Sequence, residues 1–163
     1  SRKRMLYVRG DIWDFHDAGN PIVITTNIGW NKDGHNIMGA GIALQAKVRY
    51  KWIPKILGNY YIRNESESST LLFYEGIQQK RFIFFPTKPL AEPPHLSWKQ
   101  ESQLWLIERS LQDMVTLVSK DPDFREDQIF LPLVGCGNGG LDREEVLPLL
   151  ERYLDDQYAL VEK

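Results

Sequence analysis

The stretch Leu133-Val-Gly-Cys-Gly-Asn-Gly-Gly-Leu-Asp142 restricts the fold more than any other part of the chain. An apolar run, Ile129 to Val134, enters four glycines within six residues, and a helix-start pattern follows at once. Glycine lets a backbone take positive φ and approach a ligand with no Cβ in between. Each glycine also costs unfolded-chain entropy, so a simple tight turn is the weaker explanation of four at one strand end. Successive N–H groups in such a turn form an anion-binding concavity, and the helix N-terminus behind it adds partial positive charge. No Lys-Ser/Thr pair follows, so this is not a Walker loop, and it does not match a GxGxxG fingerprint after a first strand. Cys136 sits in the loop with no histidine near it in sequence, which predicts a small buried thiol and not a nucleophile.

A second glycine loop, Asn36-Ile-Met-Gly-Ala-Gly-Ile-Ala-Leu44, again joins a strand end to a helix. Two such loops can clamp a diphosphate from both sides. Strands are predicted at Met5 to Val8, Pro21 to Thr26, Leu71 to Tyr74, Phe82 to Phe85, Ile129 to Val134 and Tyr158 to Val161. The pair around Glu75-Gly76 reads as antiparallel. Leu104, Ile107, Leu111, Met114 and Val118 form one apolar helical stripe, with Ser97 and Gln100 as a capping box at its start. Asp142 and Glu145 offer a cap to a helix through Leu154, with a kink or late start at Pro148. Gly41 to Tyr50 and Trp52 to Tyr61 complete the helices. Strands alternating with helices, several of them apolar throughout, predict an α/β domain whose mixed sheet is covered on both faces.

Composition narrows the function classes. The 163 residues fit one domain, 1–163, able to bury a core unaided. A formal charge of −2 gives no global basic field for nonspecific nucleic-acid binding. One cysteine excludes an intrachain disulfide and predicts a reducing, cytoplasmic setting. No apolar run has membrane-span length, and no signal-peptide pattern opens the chain. Scattered histidines and the lack of a carboxylate cluster predict no metal site, and no cofactor is expected. A monomer is expected.

Single residues leave alternatives open. Asn27, closing the second strand, suits a ribose hydroxyl as well as an Asx turn. Asp11, after Gly10, can accept from an exocyclic amine or cap a helix. Lys88, where Arg81-Phe-Ile-Phe-Phe-Pro-Thr-Lys88 leaves the core, is either a solvated strand end or an amine placed for chemistry.

Val8-Arg-Gly-Asp-Ile12, Ile22-Val-Ile-Thr-Thr-Asn27, Met38-Gly-Ala-Gly-Ile-Ala43, Phe85-Pro-Thr-Lys88 and Leu133-Val-Gly-Cys-Gly-Asn-Gly-Gly140 follow the motif order of macrodomains. The resemblance covers nearly the whole chain. It implies a three-layer α/β/α fold with a mixed central sheet that binds ADP-ribose. The MGAGIA and FPTK versions resemble the branch holding the DarG-type DNA ADP-ribosyl glycohydrolases and terminal ADP-ribose protein glycohydrolase. Carried onto this chain, Asp11 would accept from the adenine amine beside the Ile12 backbone. Met38, Gly39, Ala40, Gly41 and Ile42 would form the first diphosphate loop. Gly135, Cys136, Gly137, Asn138, Gly139, Gly140 and Leu141 would form the second. Asn27 would face the distal ribose, and Thr87 would lie beside it. Lys88 matches the lysine that acts on the anomeric carbon, through a Schiff-base-type intermediate released by water.

The chain departs from the protein glycohydrolase, which has an aspartate in the stretch matching Asn138-Gly139; here no acid occurs before Asp142. The segment Gly29 to Asn36 is longer than its DarG-type counterpart, and His35 within it is either an acid or base over the ribose or a solvated histidine. Trp30, Trp98 and Tyr153 are candidates to stack on adenine. The expected activity is release of ADP-ribose from modified DNA or protein. An ADP-ribose 1″-phosphate phosphatase and a non-catalytic ADP-ribose reader are the alternatives.

Overall fold

The computed structural model describes residues 3–64, 72–76 and 79–163. In chain order the elements are Leu6–Arg9 (β1), Ile12–Asp17 (α1), Ile22–Asn27 (β2), Gly41–Arg49 (α2), Ile53–Arg63 (α3), Leu72–Glu75 (β3), Arg81–Lys88 (β4), Leu104–Lys120 (α4), Ile129–Leu131 (β5), Arg143–Tyr153 (α5) and Tyr158–Glu162 (β6). Two 3-10 turns, Pro94–Lys99 and Gly137–Gly139, interrupt the loops.

Among the described residues, six strands form one sheet in the order β1-β6-β5-β2-β4-β3. Only β3 runs antiparallel, pairing Leu72–Glu75 with Phe84–Arg81. The mixed sheet expected from the sequence is therefore present, and Leu71, the first residue of that expected strand, lies outside the described residues.

The apolar run in β4 explains the layering. Phe82, Ile83, Phe84 and Phe85 are all fully buried. Phe82 and Phe84 pack with Ile12, Leu57 and Tyr61 of α1 and α3, whereas Ile83 and Phe85 pack with Ile107, Leu111 and Val146 of α4 and α5. A strand buried on both faces carries no polar alternation. Each such side chain contributes about 1.5–3 kcal/mol of burial, so β2 and β4 anchor an α/β/α sandwich.

Three local expectations are corrected. β5 ends at Leu131, not Val134, because Pro132 has no N–H to continue a ladder. The capping box read at Ser97 and Gln100 does not start α4. Ser97 lies in a 3-10 turn, where its Oγ donates to Pro94 O and accepts from Ala91 N. Helix α5 starts at Arg143, ahead of Pro148, so the proline does not delay it. Glu145 Oε1 accepts from Asp142 N at 3.2 Å, as its cap pattern indicates. No described helix is long and apolar enough to cross a membrane.

His16 on α1 is fully buried against Trp13, Tyr50 and Phe82. Its Nε2 shares a 2.7 Å hydrogen bond with Tyr50 Oη. Burial, then the charge of Lys80, lowers its pKa to about 4 from an ordinary 6.5. Between those values the unfolded chain binds the extra proton, so stability is full above the upper value and falls as pH drops towards the lower one. Urea midpoints measured across that window are expected to fall with pH, and a His16→Gln variant is expected to show a flatter profile.

Candidate functional site

The C-terminal ends of β1, β6, β5, β2 and β4 all open on one side of the sheet, because these strands are mutually parallel. The chain crosses from β2 to β4 on one side of the sheet and returns to β5 on the other. Ligands of open α/β sheets bind in the crevice at such a switch point. A cavity of about 450 Å³ lies there.

Asn27 closes β2 and is nearly buried. Its side chain is held on both sides: Nδ2 donates to Ile37 O at 2.8 Å, and Oδ1 accepts from Gly29 N at 2.9 Å. Asn36, itself 3% exposed, adds donation from its Nδ2 to Asn27 O, Asn27 Oδ1 and Gly29 O. The long Gly29–Asn36 loop thus serves as a bracket for Asn27. Its His35 is outside the cavity wall, and the backbone N–H of His35 donates to Asn31 Oδ1.

Lys88 arrives opposite Asn27 through a bulge. From Ile22↔Phe82 to Thr26↔Pro86 the register is regular, and then Asn27 faces Lys88, with Thr87 as the extra residue. An uninterrupted ladder would set Thr87 there; bulges re-aim side chains beside functional sites. Lys88 Nζ donates to Trp98 O at 2.9 Å. Burial lowers the pKa of this amine below the ordinary lysine value, which raises the fraction of neutral, nucleophilic amine.

The first glycine loop puts Gly39, Ala40, Gly41 and Ile42 into the cavity wall. Ala40 caps α2 without a side-chain hydrogen bond, and no acid occupies the first turn. That helix end offers its N–H groups and partial positive charge to the cavity. Gly41 has φ +58, and a Cβ there would meet Asn138 Nδ2 of the second loop at 3.3 Å, so the two loops approach closely. In the second loop Gly135, Cys136, Asn138 and Gly139 line the cavity. Gly135 has φ +78 and stands where a Cβ would lie 2.5 Å from Ile107 Cδ1. Helix α5 behind this loop is different: Glu145 satisfies its start, and Glu144 and Glu145 occupy its first turn. Any anion held on this side would rely on the loop's own N–H groups. Burial raises the Cys136 thiol pKa, which keeps it protonated.

Thr87 also lines the cavity. Six expected residues do not. Met38 is buried behind the first loop, and Gly137, Gly140 and Leu141 lie outside the wall. Asp11 caps α1, accepting from Trp13 N at 2.9 Å, and Ile12 is in the core beneath it. Both follow β1, four strands from β4, or about 19 Å across the sheet. Asp11 and Lys88 thus stand at opposite ends of the row of parallel strand ends.

Ser102, Pro132 and Leu133 are among the wall residues that the sequence did not single out, and Trp98, one of the three candidates to stack on adenine, is in the wall as well. Trp98 stands at the Lys88 end, remote from Asp11. Trp30 packs into the α1–α3 core, and Tyr153 Oη donates to Glu108 on α4. Of the three aromatic candidates only Trp98 reaches the cavity.

Comparison with known proteins gives the family. No family model matches the chain. A Thermus aquaticus protein named DNA ADP-ribosyl glycohydrolase is 30% identical over 122 residues, 73% of this chain and 31% of that protein. The chain belongs to the macrodomain family. The macrodomain of Mycobacterium tuberculosis DarG superposes with a TM-score of 0.71 at 26% identity, covering 99% of each chain. Thermosipho africanus DarTG in complex with ADP-ribose gives a TM-score of 0.73 at 21% identity, covering 99% of this macrodomain and 43% of that chain. The macrodomain described here thus matches about a third of the length of its curated relative.

Proposed function

We propose that this macrodomain is an ADP-ribosyl glycohydrolase that releases ADP-ribose from a modified nucleobase. Adenine lies towards Asp11, the diphosphate between the two glycine loops, and the distal ribose between Asn27 and Lys88. The observation that carries the reading is the bulge that sets a half-buried lysine opposite a clamped asparagine, both in the wall of one cavity. The names of the DarG relatives support the same class.

Lys88 Nζ attacks the anomeric carbon of the distal ribose. The bond from that carbon to the leaving group breaks, and the amine proton passes to the leaving group through solvent. The bond from the anomeric carbon to the ring oxygen then breaks, with the second amine proton passing to that oxygen, to give an open-chain imine. Water adds to it, which regenerates the amine and frees ADP-ribose. The open N-terminus of α2 and the loop N–H groups hold the diphosphate without entering the bond changes.

No carboxylate among the described residues lines the cavity, so no side-chain acid is on hand to protonate a poor leaving group. That favours groups that depart as stabilised anions, such as an imide nitrogen of a base or a carboxylate, over a serine alkoxide. Trp98, 44% exposed at the Lys88 end, offers a flat face to a planar leaving group.

The test is release of free ADP-ribose from thymidine-linked single-stranded DNA, glutamate-linked protein and serine-linked protein, with phosphate release from ADP-ribose 1″-phosphate as a fourth arm. Release from DNA is expected and release from the serine linkage is not. Phosphate release alone would establish the phosphatase alternative, and binding without any turnover the reader. Trp98→Ala is expected to slow the DNA reaction about tenfold, as loss of one base stack does, while leaving affinity for free ADP-ribose unchanged.

A further inference from the structure

Ser102 is 2% exposed, lines the cavity, and its Oγ has no hydrogen-bond partner among the described residues. Buried hydroxyls are ordinarily paired, and an unpaired one costs stability. The usual task of a serine beside a helix start is capping, but α4 is capped at Gln103 with no side-chain hydrogen bond. The backbone is tied on both sides: the N–H of Ser102 donates to Gly139 O at 2.8 Å, and the next N–H, of Gln103, donates to Thr87 O at 3.0 Å. These two bonds fix the residue between the second glycine loop and the end of β4. The loop makes room for the hydroxyl, since a Cβ at Gly139 would lie 2.4 Å from Ser102 Oγ.

We infer that Ser102 is a ligand-binding residue whose Oγ hydrogen-bonds a hydroxyl of the distal ribose. The inference rests on the ADP-ribose reading above. Ser102 Oγ and a sugar hydroxyl can each donate and accept, so the two pair in either direction. The position agrees: Thr87, bound by Gln103, is adjacent to Lys88, which acts on the same sugar.

Calorimetric titration of wild type and Ser102→Ala with ADP-ribose and with ADP, which lacks the distal ribose, tests this. The variant is expected to bind ADP-ribose about tenfold more weakly, or about 1.4 kcal/mol, and to bind ADP as wild type does. Its ligand-free melting temperature is expected to equal or exceed that of wild type, because no protein partner is lost. Equal weakening for both ligands, unchanged ADP-ribose affinity, or a lowered ligand-free melting temperature would each overturn the assignment. Failure of wild type itself to bind ADP-ribose would overturn the underlying reading, and this inference with it.

Discussion

Lys88→Ala is expected to cut turnover of ADP-ribosylated DNA by roughly a thousandfold or more, the scale seen when a group taking part in the chemical step is removed. Affinity for free ADP-ribose should stay within about tenfold of wild type, since one charged hydrogen bond at most is lost. The fold should be untouched: the described partner of Lys88 Nζ is Trp98 O, a carbonyl at the cavity edge. Lys88→Arg separates nucleophile from charge. It preserves the cation but not a readily deprotonated amine, so it should be as inactive as the alanine variant. Full activity of the arginine variant would reduce Lys88 to an electrostatic role. Because burial lowers the amine pKa, wild-type turnover should rise with pH along a limb centred below the ordinary lysine value, and that limb should be absent in both variants.

Gly58→Ala is expected to be the most destabilising small substitution. Gly58 lies within α3, where alanine would ordinarily be favoured. Here a Cβ would stand 1.9 Å from Gly34 O and 2.8 Å from His35 Cα. These are backbone atoms, so no rotamer change relieves the overlap. Overpacking of this kind costs roughly 3 kcal/mol, or a fall of about 6–12 °C in melting temperature for a chain of this size. The effect should reach the site as well. Gly34 and His35 immediately precede Asn36, whose amide holds the Asn27 and Gly29 carbonyls, and Asn36 N itself donates to Pro54 O of α3. Displacing the loop loosens the bracket around Asn27, so residual folded protein should bind ADP-ribose more weakly. A melting temperature equal to that of wild type would show that helix and loop separate without strain, and that the loop does not fix Asn27 by packing on α3.

What could be read from sequence follows from which forces are local. Phe82 to Phe85 announced a strand buried on both faces because four consecutive apolar residues have only one such use in a short element. The glycine loops announced strand-to-helix turns because positive φ is written into residue type. Lys88 could be suspected from its strand end, but its placement opposite Asn27 depends on a bulge at Thr87 that no periodicity encodes. Ser97 and Gln100 carry the local signature of a cap, yet α4 begins at Leu104, because Thr87 O and Gly139 O take the N–H groups of Gln103 and Ser102. Tertiary hydrogen bonds overrode the local one. The same bonds carry Ser102 into the cavity wall, which Trp98, in the preceding turn, also lines. Of the two readings of Asp11 the capping one is seen: it caps α1 through Oδ1, at the far end of the strand-end row from Lys88. Glu145 accepts from the start of helix α5, so the partial positive charge expected at both helix N-termini is open to the cavity chiefly at α2.

Covalent participation of Lys88 is tested most directly by borohydride added during turnover of thymidine-linked ADP-ribosylated DNA, followed by peptide mass spectrometry. A reduced adduct of ADP-ribose is expected on the peptide containing Lys88, and none on that peptide in Lys88→Arg. Complete release of free ADP-ribose with Lys88 unmodified at every time of addition would contradict it.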